Sequence, residues 1–155
     1  MITIKEDIQE THTFSLLVDN EAGVLARVIG LFSGRGYNIE SLTVAEVDKD
    51  SHTSRITIVS KGSPKTIDQI KNHLERLVPV HKVTDLTIEG PSVEREMALI
   101  KVLYTNQNKE EILRLVEIYR AKIVDTTDKS FVFELTGAMD KINSFIDLLR
   151  PLGLK

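Results

Sequence analysis

Apolar residues in the first half of this chain recur with periods of two, three to four, two, two, three to four, and two residues, an order that leaves very few folds open. Phe14, Leu16 and Val18 alternate as in a half-buried strand, which ends at an Asp19-Asn20 turn. Leu25, Val28, Ile29 and Phe32 then fall at helical spacing, and Gly34 and Gly36 mark where that helix stops. Residues 38–47 read as a second strand, and Ser54, Ile56 and Ile58 alternate in a third after the polar DKDSH connection. Pro64 can open a second helix with Ile67, Ile70, Leu74 and Leu77 on one face, interrupted by Pro79. Val80, Leu86 and Ile88 mark a fourth strand with Asp85 exposed near its middle, before Gly90-Pro91 supplies a linker.

The order then begins again. Residues 97–104 are strand-like, residues 110–119 helical, and residues 122–127 and 131–135 form two strands around an Asp128-Lys129 turn. Ile112, Val116 and Tyr119 can cover one side of that sheet, with Leu113 and Leu115 broadening the apolar surface. A last helix carries Ile142, Phe145, Ile146 and Leu149, and Pro151-Leu152-Gly153 follows where the fourth strand of an equivalent unit would start. That strand is either missing or supplied by a neighbouring chain or a further C-terminal segment. The expected architecture is α+β, a βαββαβ domain at residues 12–89, a linker at 90–96 and a smaller βαββα domain at 97–155.

Composition excludes several function classes. With 41% hydrophobic residues, 28% charged residues and a net charge of −3, the chain is a globular type with no basic surface for nucleic acid. The absence of cysteine removes disulfides, cysteine-ligated iron–sulfur clusters and thiol nucleophiles, and is compatible with the cytoplasm. No apolar run is long enough to cross a bilayer as a helix, and residues 1–13 are polar and acidic without a secretion-signal core, so a cytoplasmic location is expected.

The informative chemistry lies in two turns. Asn20-x-x-Gly23 precedes the first helix, where backbone amides and the positive end of the helix dipole can hold a small anion. Asn20 can either contact a ligand's charged ends or cap the helix, and Gly23 keeps its own N–H accessible. Asn38 offers an amide donor and acceptor, while Ile39 can meet an aliphatic group or simply start a strand. Gly34-x-Gly36 follows a helix instead of opening one, which disfavours a phosphate loop. His12, His52, His73 and His81 are spread over separate elements with no zinc-ligand spacing, and structural or exposed roles are expected for them. Asp125 and Asp128 flank a turn whose backbone bonding accounts for them, and Phe131, Phe133 and Phe145 have the spacing of core residues. Nothing here assembles a catalytic constellation.

The stretch DNEAGVLARVIGLFSGRGYNIESLTV, the following Ser-Arg-Ile-Thr-Ile strand and the VEREMALIKV segment closely resemble the small regulatory subunits of acetolactate synthase, also called acetohydroxyacid synthase. The NIESLTV phrase and the VERE linker distinguish the resemblance from generic ACT domains, and it extends over nearly the whole chain. It implies a ferredoxin-like ACT domain that pairs in a homodimer and binds a branched-chain amino acid, usually valine, at the interface. Asn20 and Gly23 match the first ligand loop, and Asn38 with Ile39 match the part contributed across the subunit boundary. Glu21, Ala22, Val24 and Leu25 would line the pocket or the interface, although burial in the core is the expectation for Leu25, Val28 and Ile29. The resemblance also implies no active site or cofactor in this chain. Thiamine diphosphate, FAD and a divalent metal would belong to the large catalytic subunit, which this protein would activate and make sensitive to feedback inhibition. A free-standing amino-acid sensor acting on another protein is the alternative.

Overall fold

Strand β1 (Glu10–Asp19) organises the first half of the computed structural model, which describes residues 8–155. It pairs antiparallel with β3 (Thr53–Gly62) on one side and with β4 (Val80–Asp85) on the other. Strand β2 (Ser41–Asp48) pairs with the outer edge of β3, giving the order β2-β3-β1-β4. Helices α1 (Val24–Arg35) and α2 (Pro64–Glu75) complete a βαββαβ unit. The alternation in the sequence becomes a core because Phe14 lies opposite Ile58 and Leu16 opposite Ile56. These four join Val28 and Phe32 of α1 and Ile67, Ile70 and Leu74 of α2 in one buried cluster.

The helix boundaries have local causes. Ser63 caps α2 by accepting a hydrogen bond from the Thr66 amide at 3.2 Å, and Pro64 sits in the first turn, where its missing N–H costs nothing. Pro79 does not interrupt this helix; it ends at Glu75, where the Arg76 and Leu77 amides bond back to His73 and Leu74. At the end of α1, Gly36 takes a left-handed conformation at φ 67° while the Tyr37 amide reaches the Phe32 carbonyl at 2.9 Å.

Strand β4 and Asp85 differ from the sequence reading. The strand stops at Asp85, and Leu86 and Ile88 lie beyond it in a turn in which the Ile88 and Glu89 amides both bond to the Asp85 carbonyl. Asp85 is not exposed; it is 2% accessible. Its carboxylate accepts from His12 Nδ1 at 2.7 Å and from the Thr87 amide at 3.1 Å, so each of its two buried oxygens has a partner. The Thr13 amide then donates to Thr87 Oγ1, which ties the turn to β1.

Beyond Ser92 a second unit has its own core. Strands β5 (Glu96–Leu103), β6 (Lys122–Thr126) and β7 (Ser130–Gly137) form an antiparallel sheet in the order β5-β7-β6, with helices α3 (Lys109–Tyr119) and α4 (Met139–Leu149). Phe131, Phe133 and Phe145 are core residues; the Phe133 and Phe145 rings meet edge to face at 6.3 Å. Tyr119 packs at the rim against Phe145, and Tyr104 stacks on Phe131 with centroids 4.5 Å apart. The residues after α4 run beside β5. After a 3₁₀ turn at Arg150–Leu152, Leu154 makes one antiparallel bridge to Val102, and the Lys155 amide donates to the Lys101 carbonyl. That position beside β5 is equivalent to the one β4 occupies beside β1.

Two stability outcomes follow from this packing. Phe133→Ala is expected to cost about 3–5 kcal/mol in the second unit, as a fully buried aromatic should. Leu99→Ala, at a side chain 63% exposed on the same sheet, should stay within about 0.5 kcal/mol in the same denaturant titration. The second outcome concerns His12, whose Nε2 also lies 3.1 Å from Glu10 Oε2. Burial, the largest influence, pulls its pKa down, but the hydrogen bonds and charges of Asp85 and Glu10 together outweigh it and raise the pKa above 6.5. Stabilisation from a raised histidine is fully present below the unfolded pKa of about 6.5 and is lost as pH rises through the folded value. Thermal unfolding from pH 6 to 9 should therefore show the wild type losing more stability than His12→Gln; equal losses would contradict the assignment.

Candidate functional site

The candidate residues gather at the two ends of α1. At its N-terminus, Gly23 is left-handed at φ 86°, and the helix has neither a side-chain cap nor an acidic residue in its first turn. Space beside the Gly23 α-carbon is open, with nothing within 4 Å of where a β-carbon would stand. The first amides of a helix have no intrahelical acceptors, and here no carboxylate of the first turn competes for them. Gly23 itself serves as N-cap, so Asn20 is not the cap. The Asn20 side chain instead donates to Glu46 on β2 at 3.1 Å, and its backbone amide bonds to the His52 carbonyl. Glu21 and Ala22 are exposed on the same loop, whereas Val24 is buried in the core.

At the other end, the turn after Gly36 carries Asn38 and Ile39 into β2. Asn38 is exposed, and its side chain donates to Glu40 at 2.5 Å. Ile39 is half-buried against the first core. Its direction is set by the backbone on either side, since the Ser60 hydroxyl donates to the Asn38 carbonyl and the Glu40 amide donates to the Val59 carbonyl.

The two groups are brought to opposite ends of one rigid element. The 12 residues of α1 span about 18 Å, several times the length of a small amino acid. Within one chain, Asn20 and Gly23 therefore cannot share such a ligand with Asn38 and Ile39.

The surface between them is apolar in an unexpected place. Leu25 and Ile29 are 37% and 38% exposed instead of buried, because Val24, Val28 and Phe32 supply the face of α1 that meets the core. A helix that presents positions 24, 28 and 32 inward turns positions 25 and 29 onto its flank. The neighbouring β2 is an edge strand whose last six residues are exposed, including Val44 and Val47. Val44 lies opposite Ile56 and so on the sheet face that the helices cover. Sequence periodicity had no means to separate this flank from the core stripe, since both are apolar at helical spacing.

Three of the histidine side chains have partners outside the four residues of the half-sites. His73 meets the Tyr37 hydroxyl, His81 pairs with Asp19, and His12 is committed to Asp85 and Glu10. Among the described residues, no helix is long and apolar enough to cross a membrane.

Known proteins match both units. Residues 14–82 fit a family profile described as the AHAS small subunit-like ACT domain, and residues 95–155 fit one described as the small subunit of acetolactate synthase. A probable acetolactate synthase small subunit from Archaeoglobus fulgidus is 47% identical over 144 residues, covering 93% of this chain and 89% of the relative. The isozyme 3 small subunit of Escherichia coli is 44% identical over 139 residues, covering 90% and 84%. The crystal structure of the acetolactate synthase small subunit from Thermotoga maritima superposes with a TM-score of 0.85 at 44% identity, covering 94% of this chain and 90% of that one. With profiles matched in both units and close relatives aligned along almost its whole length, the chain belongs to the acetolactate synthase small-subunit family.

Proposed function

We propose that this protein is a non-catalytic regulatory subunit that stimulates the acetolactate synthase catalytic subunit and makes it sensitive to valine. The catalytic subunit supplies thiamine diphosphate, FAD and the divalent metal. The observation that carries the effector reading is the separation of the half-sites by the length of α1. A two-fold homodimer with the α1 helices antiparallel brings the Gly23 end of one copy to the Asn38 end of the other, so each interface holds two equivalent pockets. The exposed flank of Leu25 and Ile29 and the unpaired edge of β2 suit that arrangement, because pairing would cover both.

In each pocket, the α1 amides near Gly23 receive the ligand carboxylate, Asn20 and Asn38 meet its polar ends, and Ile39 contacts its aliphatic side chain. The pocket draws on Glu21 and Ala22 at its rim, with Leu25 on the apolar side. Val24 acts from within the core by fixing the first turn of α1. Residues 12–89 hold the effector, and residues 97–155 carry the contacts that stimulate the catalytic subunit.

Inhibition requires valine to favour one conformation of the dimer or of the holoenzyme over another. A ligand bound equally well by both would shift nothing however tightly it bound. Acetolactate formation by the matching catalytic subunit, assayed with and without this protein across valine concentrations, tests the whole reading. Stimulation followed by valine-dependent inhibition is the expected result. No effect on a competent catalytic subunit would overturn it in favour of a sensor acting on a different protein.

Gly23→Asp is the sharper test of the pocket. Aspartate is among the few side chains that tolerate the left-handed backbone at this position, so the fold should persist. Its carboxylate stands where the ligand's carboxylate approaches, and the valine concentration for half-inhibition should rise by about tenfold or more. Stimulation without valine should remain. Wild-type feedback in that variant would show that the pocket lies elsewhere.

A further inference from the structure

Ser60 is a polar residue in an apolar place. It lies near the end of β3 and is fully buried, on the sheet face that carries Ile56 and Ile58 into the core. A hydroxyl taken out of water costs free energy unless it finds a partner. Here the partner is outside the sheet: Ser60 Oγ donates to the backbone carbonyl of Asn38 at 2.5 Å. Across β1, the residue opposite Ser60 is His12, whose ring nitrogens are held by Asp85 and Glu10.

The bond falls at the one point of the α1–β2 turn that matters to the pocket. The backbone before Asn38 is fixed by the Tyr37 amide on the Phe32 carbonyl, and the backbone after it by the Glu40 amide on the Val59 carbonyl. Between them, the Asn38 carbonyl is held by Ser60. Rotation of that peptide unit would redirect both the Asn38 side chain and the start of Ile39. We propose that Ser60 is a positioning residue for the effector half-site: from within the core it fixes the Asn38 peptide, and so the orientation in which Asn38 and Ile39 meet the bound amino acid. The inference rests on the effector reading above and extends it to a buried residue that never touches the ligand.

Valine titration of the full chain by calorimetry tests it, with Ser60→Ala, Ser60→Thr and Gly23→Asp measured beside the wild type. Loss of one neutral hydrogen bond should weaken valine binding by about fivefold to tenfold in Ser60→Ala, and Ser60→Thr, which keeps the hydroxyl, should restore it. In the reconstituted enzyme, Ser60→Ala should raise the valine concentration for half-inhibition while leaving the extent of inhibition at saturating valine as in the wild type. A general loss of packing would not give that split or that rescue. Wild-type affinity in Ser60→Ala, with Gly23→Asp impaired, overturns the role of Ser60 and leaves the pocket standing. Equal weakening in the Ala and Thr variants also overturns it, since the hydroxyl would then be irrelevant. If the wild type binds no valine, or Gly23→Asp binds it normally, the effector reading fails first. Should Ser60→Ala not fold, Ser60→Cys provides a similar volume with a much weaker donor, and wild-type affinity in that variant overturns the proposal.

Discussion

Each unit buries one face of an antiparallel sheet, and the candidate site depends on how that burial fixes α1. In the first unit, Phe14 and Leu16 of β1 face Ile58 and Ile56 of β3, and α1 closes over them through Val24, Val28 and Phe32. A slip of one residue in this register would turn the whole apolar set outward, so the pairing is strongly specified. Once α1 is seated by these contacts, the positions of its two ends follow. Gly23 opens it in the left-handed conformation and Gly36 closes it in the same conformation, so both turns are defined by backbone geometry.

The placement of α1 gives the candidate site its character. Under the proposed function, a pocket drawn from loops at opposite ends of a helix is incomplete in one chain, and a ligand joining two such halves would be linked to the association of two copies. The same geometry explains the apolar flank of α1. Leu25 and Ile29 are too exposed to serve the core of their own unit, and β2 is an edge strand of the same unit's sheet. In the proposed dimer, these two features, which would be liabilities in a monomer, become contacts.

The polar groups beneath the sheet's helical face tie its elements together. His12, Asp85 and Ser60 are all buried, and each engages a neighbour on a different element. His12 and Asp85 join the beginning of β1 to the end of β4, while Ser60 joins β3 to the turn before β2. The cost of desolvation offsets much of the interaction energy of buried polar pairs of this kind.

Much of this was legible from residue order. Alternation at Phe14, Leu16 and Val18, helical spacing at Ile67, Ile70 and Leu74, and the glycine stop at Gly36 determined the elements, the α+β class and most of the two cores, because period and turn chemistry are local properties. The NIESLTV and VERE segments were enough to suggest the family. What remained undetermined depended on partners distant in sequence. Asp85 reads as a surface residue in strand order until His12, 73 positions earlier, is brought against it. Leu25 and Ile29 read as core until Val24, Val28 and Phe32 take the inward face. Ser60 reads as an ordinary strand residue until the α1–β2 turn arrives above its hydroxyl. The sequence by itself determined which elements form and where the glycine and asparagine turns fall. Only the tertiary structure decided which side chains those elements bury and which distant partners hold the two turns, since both follow from packing between segments that no local pattern relates.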